Sequence, residues 1–284
     1  MINLLALIDG SGYSKSVCDH AAWFANRLGG GVEIVHVLDR QDLSSHPEDF
    51  SGNIGIGART ALLEELAELD AQKARLSQKR GRAILDDARE SVVASGVVKV
   101  TTKLRLGEVV ETLQDLEAEA DMIVIGKRGE GADFNQLHLG SNLERVVRSS
   151  HKPVLLASRA FKPVRRFLVA YDGGRSVIKA IDEIARNKVF ADLDCELLCV
   201  GTETAEAGAQ MEASASQLRA AGYRVKTKFM SGRPETVIAR EVETDAYDLM
   251  VMGAFGHSVI RNLIIGSTTT EMIRSCKIPL LLFR

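Results

Sequence analysis

Glycine and hydroxyl residues near the carboxyl end of the chain have the spacing of an anion-binding segment. An apolar run ends at Gly253, and the sequence from there reads G-x2-G-x9-G-S-T, with Gly256, Gly266, Ser267 and Thr268 at the fixed positions. Glycines let backbone amides approach a ligand closely, and a helix N-terminus adds unpaired amides and a favourable dipole. The spacing therefore predicts a cradle for a polyphosphate.

A capping box is the alternative interpretation of the hydroxyl residues. Thr268 to Glu271 fits one, and so does Ser141 to Glu144 in an earlier segment of similar sequence. Neither box would need a ligand. Glycine pairs recur at matched places before both segments, and an acidic residue ends an apolar run in both halves of the chain, which together favour anion binding.

Those acidic residues are Asp9 and Asp172, and each is followed by a glycine. An aspartate at this position can accept hydrogen bonds from ribose hydroxyls, as acidic residues do in other doubly wound nucleotide folds. It can equally cap the helix that follows. The position alone leaves both interpretations open.

The elements that must position these residues occur twice along the chain. Residues 140–157 read GSNLERVVRSSHKPVLLA and residues 266–283 read GSTTTEMIRSCKIPLLLF, while LALIDG at residues 5–10 matches LVAYDG at residues 168–173. Each copy alternates short apolar runs with helical patterns, which is typical of a parallel sheet covered on both faces. We therefore expect an α/β protein of two tandem doubly wound domains, each with a five-stranded parallel sheet.

The domain boundaries follow from the repeat. The first domain is expected at residues 1–158, a linker rich in basic residues at 159–165, and the second domain at 166–284. The first copy has an expanded middle, with a polar loop at 41–57 and a long charged helix from about residue 59 to residue 94. The charge run from Glu64 to Arg89 is interpreted as alternating at helical spacing, which favours a solvated face over a partner site.

Composition excludes several classes of function. The net charge of −2 gives no basic footprint for nucleic acid or a membrane surface, and the longest apolar runs are too short to span a bilayer. The N-terminal apolar residues resemble a first strand rather than a signal peptide. Four cysteines without C-x-x-C spacing indicate inert thiols, no metal site and a cytoplasmic protein. No Walker motif and no evident pair of nucleophile and base occur, so no catalytic residue is predicted.

These motifs together resemble the universal stress protein family in its tandem form, with two such domains in one chain. The resemblance implies a sheet order of 3-2-1-4-5, pairing of the last strands between the two domains, and binding of ATP, with or without Mg²⁺. In the family the aspartate after strand one holds ribose, the end of strand two meets adenine, and the Gly-Ser segment holds phosphates. Carried over to the second domain, this implies a site made of Asp172, Val200, Gly253, Gly256, Gly266, Ser267 and Thr268.

The first domain departs from the family motif. Ten residues separate its last two glycines instead of nine, and they include Glu130 and Asp133, whose carboxylates would repel phosphate. Lys127 and Arg128 could offset that repulsion if they pointed inward. We expect a weaker or altered site there, at Asp9, Val37, Gly126, Gly129, Gly140, Ser141 and Asn142.

The resemblance implies an ATP-binding stress or regulatory protein whose output is either a nucleotide-dependent conformation or an interaction with a protein partner. A slow ATPase is one alternative. Another is a module that binds a different ligand or a partner through the long helix of the first half. A homodimer is also open at this point.

Overall fold

Strands and helices alternate regularly along the residues that the structure describes. The structure is a computed structural model, and it describes residues 2–39, 56–128, 141–254 and 265–284. The first half contains β1 (Asn3–Ile8), α1 (Ser14–Leu28), β2 (Gly31–Leu38), α2 (Ile56–Ala94), β3 (Val100–Leu106), α3 (Val109–Leu116), β4 (Met122–Gly126), α4 (Ser141–Ser149) and β5 (Val154–Ala157). The second half contains β6 (Arg166–Ala170), α5 (Arg175–Asn187), β7 (Asp194–Val200), α6 (Ala205–Ala220), β8 (Arg224–Met230), α7 (Pro234–Thr244), β9 (Leu249–Gly253), α8 (Ser267–Ser275) and β10 (Leu280–Phe283).

The strands form one continuous sheet in the order β3-β2-β1-β4-β5-β10-β9-β6-β7-β8. Within each half the strands are parallel and follow the order 3-2-1-4-5, as the family resemblance implies. The halves join through β5 and β10, which run antiparallel with Leu156 opposite Leu280. The predicted fold class and the pairing of the last strands are therefore confirmed.

Apolar residues fill both faces of this sheet. Along β1, Leu4 and Ala6 face the core beneath α1, whereas Leu5 and Leu7 face the core beneath α3 and α4. A strand buried on both sides needs an unbroken apolar run, because successive side chains point to opposite faces. This requirement explains why the strands were recognisable in the sequence.

One face of the junction between the halves is held by aromatic rings and an arginine. Phe24 of α1 meets Phe190 of the second half with ring centroids 5.7 Å apart, and Trp23 stacks on Phe190 at 6.3 Å. Arg27 lies over the Trp23 ring and donates through Nε to the carbonyl oxygen of Val189 at 2.6 Å. Burial of these rings is a large part of the apolar surface that joins the halves.

On the other face, each half supplies a cation to the end of the other half's last helix, although the two cations follow different strands of the repeat. Lys127, just after β4, donates through Nζ to the carbonyl oxygens of Cys276 at 2.5 Å and Ile278 at 2.7 Å, at the end of α8. Arg284, just after β10, donates to the carbonyl of Arg148 at 3.3 Å and to that of Ser150 at 3.4 Å, at the end of α4. Each half thus supplies a cation to the carbonyls that the other half's last helix leaves unpaired.

The expansion of the first half is the 39-residue helix α2, close to the predicted bounds. Gly81, Leu85, Ala88 and Val92 are buried against the domain, whereas most described side chains between residues 62 and 80 are exposed. None of the helices in the described ranges combines the length and the apolar character needed to cross a bilayer.

Candidate functional site

The carboxyl edge of the second half brings three predicted positions, Asp172, Val200 and Gly253, to the ends of neighbouring strands. Ala170 of β6 pairs with Leu198 of β7 and with Met252 of β9. Two residues further along, Val200 and Asp172 therefore leave neighbouring strands at the same level. Adjacent strands are about 4.8 Å apart, so the ends of β7 and β9 flank the Asp172 segment within about 10 Å. In doubly wound sheets, ligands bind at the carboxyl edge where the strand order reverses direction. In the second half this switch lies at β6, between β7 on one side and β9 on the other.

Asp172 is exposed at this edge and shapes its own turn. Its Oδ1 accepts the amide of Gly174 at 2.8 Å, and Gly174, not Asp172, is the N-cap of α5. The capping interpretation of Asp172 is therefore wrong, and the hydrogen bond fixes the turn that presents the carboxylate. Burial and the nearby Asp172 carboxylate together raise the pKa of the Cys199 thiol. Cys199 therefore lies close enough to Asp172 to be affected by its negative charge.

Helix α8 begins at Ser267, and its N-cap Gly266 makes no side-chain capping bond among the described residues. The capping box predicted to start at Thr268 is therefore wrong, because Thr268 already lies inside the helix. The amide of Thr270 donates to the Gly266 carbonyl at 2.9 Å, so the amides that precede it in the first turn have no partner within the helix. These donors face outward from the N-terminus with the positive end of the helix dipole.

Two contacts hold that first turn against the end of β9. Thr269 donates through Oγ1 to the Gly253 carbonyl at 3.1 Å, and the amide of Gly266 donates to the Ala254 carbonyl at 3.2 Å. The Gly266 amide is thus engaged by the protein, contrary to the expectation that it would contact a ligand. Among the described residues of this turn, the amides and hydroxyls of Ser267 and Thr268 are the donors for which the structure shows no partner.

A cleft beside Val200 extends this edge. It has a volume of about 480 Å³ and is lined by Gly201, Thr202, Glu203, Phe229, Met230, Ser231 and Gly232. Val200 was predicted from the sequence, whereas the wall of the cleft at the end of β8 was not. The signal was available, because β8 is the neighbour of β7 and its carboxyl end must share the same edge.

Several predicted positions lie outside the described residues. These are Gly256 in the second half and Gly129 and Gly140 in the first half; the side chain of Ser141 is likewise not described. Ser141 begins α4, and Asn142 follows it as an exposed residue in the first turn, as Thr268 follows Ser267 in α8.

At the carboxyl edge of the first half, side chains occupy more of the space near the strand ends than in the second half. Asp9 accepts the amide of Ser11 at 2.9 Å and the hydroxyl of Ser14 at 3.3 Å, and Tyr13, not Asp9, is the N-cap of α1. A Cβ built on Gly126 would lie 2.8 Å from Cβ of Tyr13. This tyrosine is the N-cap of α1, whereas the N-cap of the equivalent helix α5 in the second half is Gly174, which has no side chain.

The long helix of the expansion also reaches this edge of the first half. A Cβ on Gly10 would lie 2.7 Å from Cδ1 of Ile84, so an apolar side chain covers the turn next to Asp9. In the second half the matching turn faces the polar Gln210, whose Oε1 is 3.3 Å from a Cβ built on Gly173. Val37, near the end of β2, is only half-buried, as is Val200.

Lys127 does not point into the site of the first half, where it could have offset nearby carboxylates. Its ammonium group is buried at the junction and donates to the carbonyls of Cys276 and Ile278. The idea that Lys127 would offset Glu130 and Asp133 near a phosphate is therefore wrong. Burial lowers the pKa of Lys127 to about 8.

One acidic cluster and the four cysteines are the further titratable groups of interest among the described residues. Glu196, Glu241 and Asp245 hold carboxylate oxygens within 4.8 Å of one another, a set that could ligate a metal, but Lys228 donates to Glu241 at 2.5 Å and is their counter-ion. Burial raises the pKa of all four cysteine thiols, to about 12 for Cys18. Protonated thiols are poor nucleophiles, which agrees with the inert role predicted for them.

The two halves together define a class: a tandem doubly wound α/β protein with a polar edge at the carboxyl ends of its strands. The profile of the universal stress protein family matches residues 1–158 and 200–284. The chain therefore belongs to the universal stress protein family.

Relatives of the same family match all or much of this chain. The universal stress protein Slr1230 of Synechocystis is 36% identical over 287 residues and the match covers 100% of both chains. The universal stress protein Rv1996 of Mycobacterium tuberculosis is 25% identical over 196 residues, which is 66% of this chain and 60% of that protein. A crystal structure of a universal stress protein from Archaeoglobus fulgidus has a TM-score of 0.72 at 21% identity and covers 99% of this chain and 98% of its own.

Proposed function

We propose that this protein binds ATP in its second half and acts in the stress response as a nucleotide-dependent regulatory protein. The observation that carries the proposal is the uncapped N-terminus of α8, which faces the same sheet edge as the exposed Asp172 carboxylate and the cleft beside Val200. A helix N-terminus suits phosphate, a carboxylate suits ribose hydroxyls, and a cleft whose lining includes Phe229 and Met230 suits an adenine ring. The three features follow the order of the three parts of a nucleotide.

The chemistry of the donors fits a triphosphate in particular. Amides and hydroxyls of Ser267 and Thr268 give neutral donors, and the dipole of α8 adds about half a positive charge. Mg²⁺ bound to the phosphates would supply further positive charge. The second half thus offers hydrogen bonds in place of the lysine of a Walker motif.

The first half is proposed to bind nucleotide more weakly or not at all. Tyr13 contacts the end of β4 and Ile84 covers the turn at Gly10, so ligand space there is reduced. Lys127, the nearest buried cation, is committed to the other half. The repeat therefore retains a structural role in the first half and a ligand role in the second.

The regulatory output is proposed to pass through α8. Its N-terminus faces the proposed phosphate position, and the carbonyls beyond its C-terminus accept the Lys127 ammonium from the first half. A ligand changes the population of two states only through different affinities for them. A small displacement of α8 on binding ATP would alter the Lys127 contacts and so the junction between the halves.

The matched aspartates test the proposal. Asp172→Ala removes the ribose acceptor of the second half, whereas Asp9→Ala makes the same change at the equivalent position of the first half. Calorimetric titration of ATP into the full chain should show about a tenfold or greater weakening for Asp172→Ala, since a lost hydrogen bond to a charged group is worth about 1.5–3 kcal/mol. Asp9→Ala should bind like the wild type.

Equal effects of the two substitutions, or no ATP binding by the wild type, would refute this assignment. Native mass spectrometry of the purified protein distinguishes the alternatives further. Co-purified ATP supports the proposal, and a different bound small molecule supports the module for another ligand.

A further inference from the structure

The exposed half of helix α2 carries an apolar stripe separate from the face that packs on the domain. Leucines 62, 66, 69 and 76 recur at spacings of three, four and seven residues, with Lys73 and Arg80 completing the heptad pattern. Leu69 is 46% exposed and Leu76 is 68% exposed, whereas Leu62 and Leu66 are half-buried. The buried positions Gly81, Leu85 and Ala88 lie about a quarter turn away around the helix. A heptad stripe of this kind is the seam of a coiled coil.

The charges along the same segment are segregated rather than alternating, which corrects the interpretation from sequence. Residues 64–70 carry acidic side chains and no basic ones, and residues 73–82 carry basic side chains and no acidic ones. Like charges stand four residues apart at Glu64 and Glu68 and at Arg75 and Lys79, which disfavours an isolated helix. The helix dipole does not account for the pattern, because the basic block lies in the middle of the helix.

An antiparallel second copy of the segment pairs the acidic block with the basic block and also brings Leu66 of each chain against Leu76 of the other. With the two-fold axis near residue 71, Leu66 of one chain lies opposite Leu76 of the other, and Leu69 lies opposite Lys73. The same register puts each acidic block against the partner's basic block and brings Glu65 beside Lys79. A parallel pair would instead align like charges along the whole seam.

The geometry leaves room for this pairing. Residues 62–80 span about 28 Å of helix, and the domain core contacts α2 from Gly81 onward. An antiparallel pair therefore places the two globular bodies at opposite ends of the seam. The aliphatic stems of Lys73 and Arg80 can cover the leucines opposite them, and a lysine at such a core position favours a single register.

We infer that the protein forms a homodimer through an antiparallel coiled coil of residues 62–80 of α2. The occupant of the leucine stripe is a second copy of this chain, because the segment is complementary to itself in charge and in apolar spacing. The dimer does not depend on nucleotide binding, and it uses the element by which the first half differs from the second.

Sedimentation equilibrium of the full chain tests the dimer. The wild type should have twice the monomer mass of 30.9 kDa. Leu69→Glu combined with Leu76→Glu should shift it to the monomer mass with unchanged circular dichroism. Leu106→Glu, at an exposed leucine of β3 outside the stripe, is the control and should remain dimeric. A monomeric wild type at submillimolar concentration, or a double variant that remains dimeric, would overturn the inference.

Disulfide trapping tests the orientation. A mixture of the Leu66→Cys and Leu76→Cys chains should form a cross-linked dimer under mild oxidation, while each variant alone should not. The wild type, with its four native cysteines, is the control for background. Cross-linking of Leu66→Cys with itself would show a parallel pair and overturn the antiparallel arrangement.

Discussion

Lys127 makes the junction between the two halves sensitive to pH. It is 8% exposed, it belongs to the first half, and it donates to the carbonyls of Cys276 and Ile278 in the second. Burial lowers its pKa from 10.5 to about 8. Lys127→Met keeps the length and apolar character of the side chain and removes the titrating group, so the difference between the two proteins isolates this one ionisation.

The sign and size of the effect follow from the two pKa values. Between about pH 8 and pH 10.5 the unfolded chain binds a proton at Lys127 that the folded chain has lost. Stability rises with pH wherever the unfolded state binds more protons. Each pKa unit corresponds to about 1.4 kcal/mol, so the unfolding free energy of the wild type relative to Lys127→Met should rise by about 3 kcal/mol across this window.

Urea unfolding at a series of pH values measures this difference. Lys15→Met is the matched control, because it removes an exposed lysine, paired with Asp19 at 2.9 Å, that lies away from the junction. Introducing Cys276→Ser in every protein removes the adjacent thiol from the titration. A difference between wild type and Lys127→Met that stays constant from pH 8 to pH 10.5 would refute the burial of a charged Lys127.

Three further results are expected. Arg27→Ala should lower the unfolding free energy by about 3 kcal/mol in urea, because it removes hydrogen bonds between the halves and the contact with Trp23; an unchanged value would contradict the described junction. Burial raises the pKa of Glu117, but the hydrogen bonds that its carboxylate accepts from Ser150, His151 and Lys152 together lower the pKa by more than burial raises it. The net pKa of Glu117 therefore lies below 4.5. Glu117→Gln should therefore cost about 2 kcal/mol at neutral pH, and less as acid protonates the wild-type carboxylate, as acid unfolding would show. Cys199 should be alkylated more slowly than a free thiol because its pKa is raised, and saturating ATP should slow the alkylation further. Alkylation followed by mass spectrometry measures both rates, and equal rates with and without ATP would contradict the placement of the nucleotide.

The fold was predictable from the sequence because the same order of strands and helices occurs in both halves of the chain. Strands buried on both faces need unbroken apolar runs, and each half displays them in the same order. Pro234 at the first position of α7 and Gly222 after α6 mark helix ends in the way that their backbone geometry requires. The strand order itself came from the family resemblance, since apolar runs do not reveal which strands are neighbours.

The site was predicted less completely, because its details depend on contacts between distant segments. The spacing located Asp172 and the start of α8 but did not reveal that the Gly266 amide is engaged by Ala254. Lys127 was assigned to the wrong neighbourhood, since its partner carbonyls are reached only through the antiparallel pairing of β5 with β10. Tyr13 reaches the end of β4 through the packing of α1, which no local pattern specifies.

The central claim is that phosphate binds at the N-terminus of α8 and not at the equivalent helix of the first half. Thr268→Glu and Asn142→Glu each place a carboxylate in the first turn of the matched helices, where it favours the helix but repels phosphate. Calorimetric titration of ATP into the full chain should show one site in the wild type and in Asn142→Glu, and a loss of affinity of about a hundredfold or more in Thr268→Glu. Undiminished binding by Thr268→Glu, or a loss confined to Asn142→Glu, would contradict the account.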